Sequence, residues 1–546
     1  MSAAQELADR YVEHRQATEA HRLLYFGQTD HLADWEDVSP SAIAERQATL
    51  RGFADDADAL TPGATADESI LLDTIATTAR EAAISLTWRT EQTMVNPAFS
   101  FHTSVLNFVG RYSLVTRQHG DDYLTKLSRL PAVFDQIGHE LTVSATDGNV
   151  ALARHLNAGA DSIDRYLRGP SGEDDPLAAQ SPPSELGESE VASWRGDVHR
   201  VVEHEIRPSL AAYAEMLRHL SAQGRPDDQA GFCHLDGGDD LYRQLVWANT
   251  TLDLTAEQIH RLGLDLIDRL EDEYRELAGP LLGSDDIDEI YRRLRDDADM
   301  KYRSGADLVR DATDALVRAA AEAPNWFSSI PESECIATEV PGGPLAFYSP
   351  PDPPTGRPAR FFFNTSDPAA WSTYQLEAVT FHETIPGHHL QIGGFTESTE
   401  LHPAQIKFGI TAYLEGWGLY TERLSDEMGL YSGDLARVGM LAADSMRACR
   451  LVVDTGLHAM GWSRRQAIDY MLAHSPLSPG LVEGEVDRYI GRPGQALSYM
   501  VGRVEIDRIR AEASERDDFD IVGFHDALLG HGMVSLPMLR RIVLDG

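Results

Sequence analysis

The sequence predicts a mainly α protein, built as a large helical body with a small antiparallel β element beside a cleft. Long stretches alternate apolar and polar residues without glycine or proline, as in residues 69–86, which is typical of helices. A helix-start signal stands at Thr255, and strand-like composition is confined to residues 335–364. At 546 residues, the chain is long enough for several domains or for one large helical body.

Residues 1–168 are predicted to form an N-terminal helical lobe. The segment 169–190 carries four prolines among serine, glycine and acidic residues, which predicts an exposed loop. Helices are predicted to continue over residues 191–334, where the sequence Thr-Ala-Glu-Gln from Thr255 has the form of a capping box. Gly279-Pro280 is expected to end the helix that starts there. The apolar stripe of this helix consists of Ile259, Leu262, Leu266 and Leu270.

Residues 335–546 form the predicted metal-site region, which begins with the small β element. Short apolar runs at residues 345–348 and 361–363 lie among turn residues rich in proline and glycine, such as residues 341–344. One interpretation is a sheet that only covers the core. The other is that one strand borders the cleft and pairs with an extended peptide, a recurring mode of peptide recognition.

The stretch from Phe381 to Gln391 reads Phe-His-Glu-Thr-Ile-Pro-Gly-His-His-Leu-Gln and carries the candidate metal ligands. Asp367-Pro368 supplies a helix cap and a first-turn proline, so a helix is predicted from there through His382. In the familiar zinc-helix pattern, a second histidine stands four residues after the first, but here that position is a proline, which should break the helix. His388 and His389 therefore both remain possible as the second imidazole ligand.

Carboxylates beside these imidazoles supply the remaining candidate groups. Glu383 adjoins the first histidine and could take a proton from an attacking water molecule. On a second predicted helix, Glu415 and Glu422 are seven residues apart and share a face, so one could bind the metal while the other orients a histidine. Gly416 and Gly418 each disfavour a helix by about 1 kcal/mol, which indicates that another backbone approaches closely there.

Two later segments carry polar groups that a hydrolase could use. Asp454 and His458 stand one turn apart on a predicted helix, which makes His458 a candidate catalytic residue. Residues 487–499 combine arginines, tyrosines and glycines, and a hydrolase needs a donor for the oxyanion and, as an exopeptidase, a cation for the terminal carboxylate. Tyr499 is the candidate oxyanion donor. The candidates for substrate binding are Arg488, Arg492 and Tyr489.

The composition argues against several classes of partner. A formal net charge of −40 would repel both nucleic acid and anionic membranes. The three cysteines lie far apart without a C-x-x-C pair, which fits a reducing compartment and no thiolate metal site. The start of the chain lacks a signal-peptide pattern and no stretch reaches the length of a membrane span, so a cytoplasmic location is expected. The sequence leaves the oligomeric state open.

Four motifs together carry a family resemblance: H-E-T-I-P-G-H-H-L-Q, L-E-G-W-G-L-Y-T-E, V-V-D-T-G-L-H and R-P-G-Q-A-L-S-Y. In these motifs the chain resembles the bacterial DUF885 family, whose members resemble the mainly helical zinc carboxypeptidases of the M32 type and, more distantly, other gluzincin peptidases. The resemblance covers most of the chain. It implies Zn²⁺ as the cofactor and Glu383 as the general base. The ligands that it implies are His382, His388 and Glu415, with two extra residues before the second histidine.

These features together predict a metal-dependent, carboxypeptidase-like hydrolase of peptide bonds, acting on a peptide or a small peptide-like substrate. Two alternatives remain open. One is a non-catalytic peptide-binding protein on a peptidase scaffold, and the other is a hydrolase of a non-peptide amide or ester. The presence of Glu383 favours an enzyme, because a degenerate site has no need of a base.

Overall fold

The computed structural model describes residues 2–19, 29, 31–87, 95–96, 100–340, 345–352 and 356–545. The protein is mainly α-helical with one small sheet, which confirms the predicted fold class. None of the helices in the described ranges is long and apolar enough to cross a membrane. All three cysteines lie in these ranges and are free thiols.

The N-terminal helices contribute to two apolar cores, and the core formed mainly by the first three also includes Ala404 and Phe408 from the C-terminal half. These helices are α1 (Ala3–Thr18), α2 (Pro40–Leu60), α3 (Ala66–Thr87), α4 (Phe101–Phe108), α5 (Arg117–Thr146), α6 (Ala153–Arg168), α7 (Glu188–Val201) and α8 (Arg207–Ser221). The segment between α6 and α7 has no α-helix, as predicted. It is not an exposed loop throughout, however, because Leu177 is fully buried and Ala178 is nearly so. These apolar side chains fill the core beside α5 and α8.

The middle of the chain continues as helices, as predicted. They are α9 (Gly238–Thr250), α10 (Ala256–Leu282), α11 (Ile287–Asp296) and α12 (Gly305–Glu322). Thr255 caps α10 through a capping box, but the helix passes through Pro280 and ends before Gly283, whose φ of 68° suits a C-terminal glycine. The buried face of α10 includes Ile259 and Leu270 and belongs to the main core of the C-terminal half.

The small sheet contains β1 (Cys335–Val340), β2 (Ala346–Ser349) and β3 (Ala359–Asn364) in the order β1-β3-β2. The prediction of an antiparallel element was wrong in part, because β1 is parallel to β3 and only β2 is antiparallel to it. The amino-acid composition of a strand does not determine whether it pairs parallel or antiparallel to its neighbour. The predicted turn at 341–344 lies outside the described residues. Phe361 and Phe363 of the central strand are buried, and β2 forms one edge of the sheet.

The C-terminal helices hold the motifs. They are α13 (Leu376–Glu383), α14 (Gly394–Glu397), α15 (Pro403–Lys407), α16 (Thr411–Glu427), α17 (Asp434–Met460), α18 (Arg464–Ala473), α19 (Pro479–Gly491), α20 (Ser498–Ala513), α21 (Ile521–Leu529) and α22 (Leu536–Asp545). The expected close approach at Gly416 is confirmed, because a Cβ added there would lie 2.6 Å from the backbone of Gly502 in α20. Helix α16 is thereby held against α20 and α13.

Candidate metal centre

Helix α13 carries His382 and Glu383 in its last turn. The prediction that this helix begins at Asp367-Pro368 was wrong. The Asp367 carboxylate accepts a hydrogen bond from the Ala369 N–H at 3.1 Å, but it caps only a single 3₁₀ turn. Trp371 is extended, and α13 begins at Leu376. A cap specifies a first turn only, and the helix continues only where the following residues pack as a helix.

The chain breaks at the end of α13, as the proline predicts, and folds back over it. The Ile385–Pro386 bond is cis, and helical structure resumes as a π-helical turn over His389–Gly393. The Gly387 N–H donates to the Phe381 carbonyl at 2.9 Å. A Cβ at Gly387 would lie 1.9 Å from the His382 carbonyl oxygen, so this close return requires glycine.

This return places His388 beside His382, with 4.8 Å between the ring centroids and an angle of 84° between the rings. Glu415 on α16 completes the group. Its Oε2 atom lies 3.6 Å from Nε2 of His382 and 3.6 Å from Nε2 of His388. Two imidazole nitrogens and one carboxylate oxygen, all within 4.8 Å of one another, therefore converge on one point. This donor set matches that of catalytic zinc sites with two histidines and one glutamate.

The other nitrogen of His382 is held by Glu422, whose side chain is 1% exposed. Nδ1 of His382 donates to Oε1 of Glu422 at 2.8 Å, so Nε2 is turned towards Glu415. Burial by itself would lower the pKa of His382, but hydrogen bonds to the two carboxylates raise that pKa to about 9. A metal cation at Nε2 would replace the proton there, and the same two carboxylates would stabilise its charge. The residues present therefore fit a divalent metal.

Gly418 leaves the space in which His382 lies. A Cβ at this position would lie 2.6 Å from Cε1 and 2.7 Å from Nε2 of the imidazole. The sequence indicated a close backbone approach at both glycines of α16. At Gly418 the His382 imidazole, and not a backbone, makes the close approach. A larger side chain at this position would displace the imidazole from the other two metal ligands.

Glu422→Gln is expected to weaken zinc binding by about 10–100-fold, because the charged acceptor that orients His382 is lost while the shape of the side chain is kept. Zinc dissociation constants measured by competition with a chelating dye would show this. The matched control is Glu427→Gln on the same helix, since Glu427 pairs with Arg510 and lies outside the group. An unchanged dissociation constant in Glu422→Gln would contradict the orienting role.

His389 is directed away from the group. Its Nε2–H donates to the Ser333 carbonyl at 3.0 Å, and its Nδ1 accepts from the Tyr348 hydroxyl at 3.0 Å. Both ring nitrogens are thus engaged in linking the π-helical turn to β2 and to the segment before β1. Of the two histidines that the sequence left open, only His388 reaches the converging group.

A cavity of about 330 Å³ opens beside the three converging side chains. Glu383 lines this cavity, and so does Tyr499. The Tyr499 ring is stacked on His382, with 6.4 Å between ring centroids and 24° between the planes. Burial raises the pKa of Tyr499, so the phenol keeps its proton and can act as a hydrogen-bond donor. Ala346–Tyr348 of β2 also line the cavity.

The structure does not bring His458 to this cavity. The ring is fully buried, Nδ1 accepts from the Phe232 N–H at 3.2 Å, and Nε2 donates to the Tyr489 carbonyl at 3.1 Å. Burial lowers the pKa of His458 to about 3, so the ring is neutral and cross-links α17 to its neighbours. Asp454, one turn before it, accepts from the Tyr242 hydroxyl at 2.6 Å.

The predicted substrate-binding residues also lie away from the cavity wall. Arg488 donates to Glu485 and to Gln495, and the buried Tyr489 hydroxyl donates to the same Glu485 at 2.6 Å. Arg492 is exposed on the surface. Arg488 and Tyr489 therefore belong to a polar network centred on Glu485 of α19.

The arginines that do line the cavity are Arg447 and Arg450 on α17, which sequence reasoning missed. A signal was present in the sequence, since the two arginines stand three residues apart, among mostly small and apolar residues, just before the motif V-V-D-T-G-L-H. Arginines within such a helix indicate either a buried ion pair or a bound anion.

Residues 22–543 match the family described as "Bacterial protein of unknown function (DUF885)". The crystal structure of "the putative lipoprotein from Colwellia psychrerythraea" has a TM-score of 0.91 at 24% sequence identity, covering 99% of this chain and 98% of that one. The structure of "a putative lipoprotein of unknown function from Shewanella oneidensis" has a TM-score of 0.75 at 18% identity, covering 100% of both chains. Identities this low show the fold alone. No curated protein matches the sequence.

Proposed function

Because this chain belongs to the DUF885 family of bacterial proteins of unknown function, we propose an activity from its own site: metal-dependent hydrolysis of peptide bonds. The observation that supports this proposal is the convergence of Nε2 of His382, Nε2 of His388 and Oε2 of Glu415 at the edge of an open cavity. Structural zinc sites are closed by four protein ligands, whereas catalytic sites use three and keep one position open.

The remaining side chains of the cavity suit a hydrolytic reaction. A divalent metal bound by the three ligands would polarise the scissile carbonyl and make a water molecule more acidic. Glu383 stands on the cavity wall, where its carboxylate can accept the proton of that water and later pass it to the leaving amine. The Tyr499 hydroxyl can donate a hydrogen bond to the oxygen on which negative charge develops.

The sheet supports a peptide as the substrate. β2 pairs with β3 along one edge, and its other edge has no strand partner among the described residues. The same strand forms a wall of the cavity through Ala346–Tyr348. An extended peptide pairing with this edge would pass beside Glu383 and the converging ligands. The resemblance to zinc carboxypeptidases of the M32 type, which is an expectation from the sequence motifs alone, implies the same reaction class.

Protein purified without chelator is expected to hold about one zinc ion per chain, because two histidines and one glutamate converge on a single point. Elemental analysis measures the stoichiometry, and the matched control is His382→Ala, which should lose the metal. Hydrolysis of a mixed peptide library should be abolished by chelator and restored by zinc. Metal well below one per chain after zinc is added back would contradict the proposal, and tight zinc without turnover would favour a peptide-binding protein.

A further inference from the structure

We propose that Arg447 and Arg450 bind a carboxylate group of the substrate beside the metal ligands, an inference that rests on the proposed peptide hydrolysis. In an unmodified peptide, this group is either the C-terminal carboxylate or the side chain of aspartate or glutamate. The inference therefore names a substrate class, which is peptides with a carboxylate close to the scissile bond.

Arg450 is held rigidly and has a donor to spare. The residue is 5% exposed, its Nε donates to the Tyr489 hydroxyl at 3.0 Å, and its Nη2 donates to Glu485 at 2.8 Å. Its third nitrogen, Nη1, is buried and has no hydrogen-bond partner among the described residues. A buried guanidinium nitrogen without a partner is unfavourable unless a ligand supplies an acceptor, and Arg450 lines the cavity where a ligand would enter.

Arg447 stands one turn earlier on the same face of α17. Its Nη2 lies 3.6 Å from Oε1 of Glu422, an oxygen that already accepts from His382. Its Nε has no hydrogen-bond partner among the described residues either. Both arginines lie near the Tyr499 ring, with the guanidinium carbons 5.8 Å and 4.5 Å from its centroid. Two cations with unused donors thus meet at one end of the cavity.

The local charge favours an anion in spite of the strongly acidic chain. Glu485 is shared between Arg450 and Arg488, and Glu422 is shared between Arg447 and His382. The three arginines Arg447, Arg450 and Arg488 therefore outnumber the two carboxylates that pair with them, Glu422 and Glu485. The flat fork of a guanidinium matches the two oxygens of a carboxylate. In a peptide hydrolase, carboxylates are the anions that an unmodified substrate offers.

The spacing limits where the carboxylate lies in the substrate. The Tyr499 ring is 6.4 Å from the His382 ring and 4.5 Å from the guanidinium carbon of Arg450. The guanidinium carbon of Arg450 is therefore no farther from the His382 ring than the sum of these two distances. That sum is roughly the length of three extended residues. The carboxylate would therefore lie within about three residues of the bond that is cut.

The first test uses the wild-type protein and three peptides that share one sequence around the scissile bond. One has a free C-terminus, the second is amidated, and the third is amidated but carries a glutamate within three residues of the bond. We expect kcat/KM to be at least about tenfold lower for the second peptide than for the better of the other two. Preference for the first identifies the C-terminal carboxylate, and preference for the third identifies a side chain. Equal values for all three would overturn the inference.

The second test removes the arginines one at a time. Arg447→Gln and Arg450→Gln should each lower by about tenfold the ratio of kcat/KM for the preferred carboxylate peptide to kcat/KM for the amidated peptide. The matched control is Arg465→Gln, an exposed residue paired with Asp469, which should affect neither peptide. Because Arg450 also holds Tyr489 and Glu485, its loss could disturb packing and would then lower both values together. If both variants lowered both values equally, the inference would be overturned.

A binding measurement separates this inference from the proposed hydrolysis. In the Glu383→Gln background, where no turnover is expected, calorimetry should give a dissociation constant about tenfold larger for the amidated peptide than for the carboxylate peptide. Adding Arg450→Gln or Arg447→Gln should remove that difference. Selective binding without hydrolysis by the wild type would refute the enzymatic activity and leave the carboxylate site standing. Hydrolysis with no such selectivity would refute the carboxylate site alone.

Discussion

Glu383→Gln is expected to leave one zinc ion bound and to lower kcat on a peptide substrate by about 10²-fold or more. The amide keeps the shape of the side chain but cannot accept the proton of the attacking water. Glu383 is not one of the three side chains that converge on the metal position, so the metal should remain in place. Elemental analysis and steady-state kinetics on the same preparation measure the two effects separately.

The matched control for this variant is Glu400→Gln, because Glu400 is exposed between α14 and α15 and lies outside the cavity. It should retain both zinc and turnover. If Glu383→Gln lost its zinc together with its activity, Glu383 would be a ligand and not a base. If it retained full activity, the proton would have to go to another acceptor, and the proposed mechanism would be wrong.

The helical body could be predicted because amphipathic periodicity is a local property. The capping box at Thr255 correctly located the start of α10, and the apolar stripe faces the core. Boundaries that depend on distant packing were less predictable. Nothing near Asp367 indicates that the chain will become extended at Trp371, and nothing near Pro280 indicates that the helix will tolerate it. The direction of β1 against β3 also depends on how the whole element is laid against α12 and α13.

The sequence predicts all three converging side chains, but on different grounds. The motifs alone indicate His382 as a ligand, but they do not decide between Glu415 and Glu422 or between His388 and His389. Only the family resemblance implies that Glu415 and His388 are the other ligands. What the sequence could not show is the geometry that separates Glu415 from Glu422. The first points at both Nε2 atoms and the second at Nδ1 of His382. That distinction depends on how α16 crosses α13, which is a property of packing.

The arginines that line the cavity lie on a different helix from those that the sequence predicts for substrate binding. Arg488 and Arg492 belong to a segment that combines arginines and tyrosines with glycines, whereas Arg447 and Arg450 stand within a regular helix. In the folded chain α17 passes beside Tyr499 and places Arg447 and Arg450 on the cavity wall. The arginine and tyrosine motif thus marks a polar network, and only the folded structure shows which arginines line the cavity.

His388→Ala is expected to abolish zinc binding, whereas His389→Ala should retain it with at most about a 10–100-fold loss of affinity. His388 supplies one of only three converging ligand atoms, so its loss leaves a two-ligand site. His389 bonds instead to the Ser333 carbonyl and the Tyr348 hydroxyl, and its loss would loosen β2 without removing a ligand. Zinc dissociation constants of the two variants, measured by the same competition assay, give the comparison.

The two substitutions are controls for each other, because they remove the same side chain at neighbouring buried positions of one turn. If the substitutions merely disrupted the turn, zinc affinity would therefore fall to a similar extent in both variants. The chain return at Gly387, which sets His388 against His382, predicts a large difference between them. If His389→Ala lost the metal and His388→Ala kept it, the turn after Pro386 would have to be rotated by one residue, and the converging group described above could not be the metal centre.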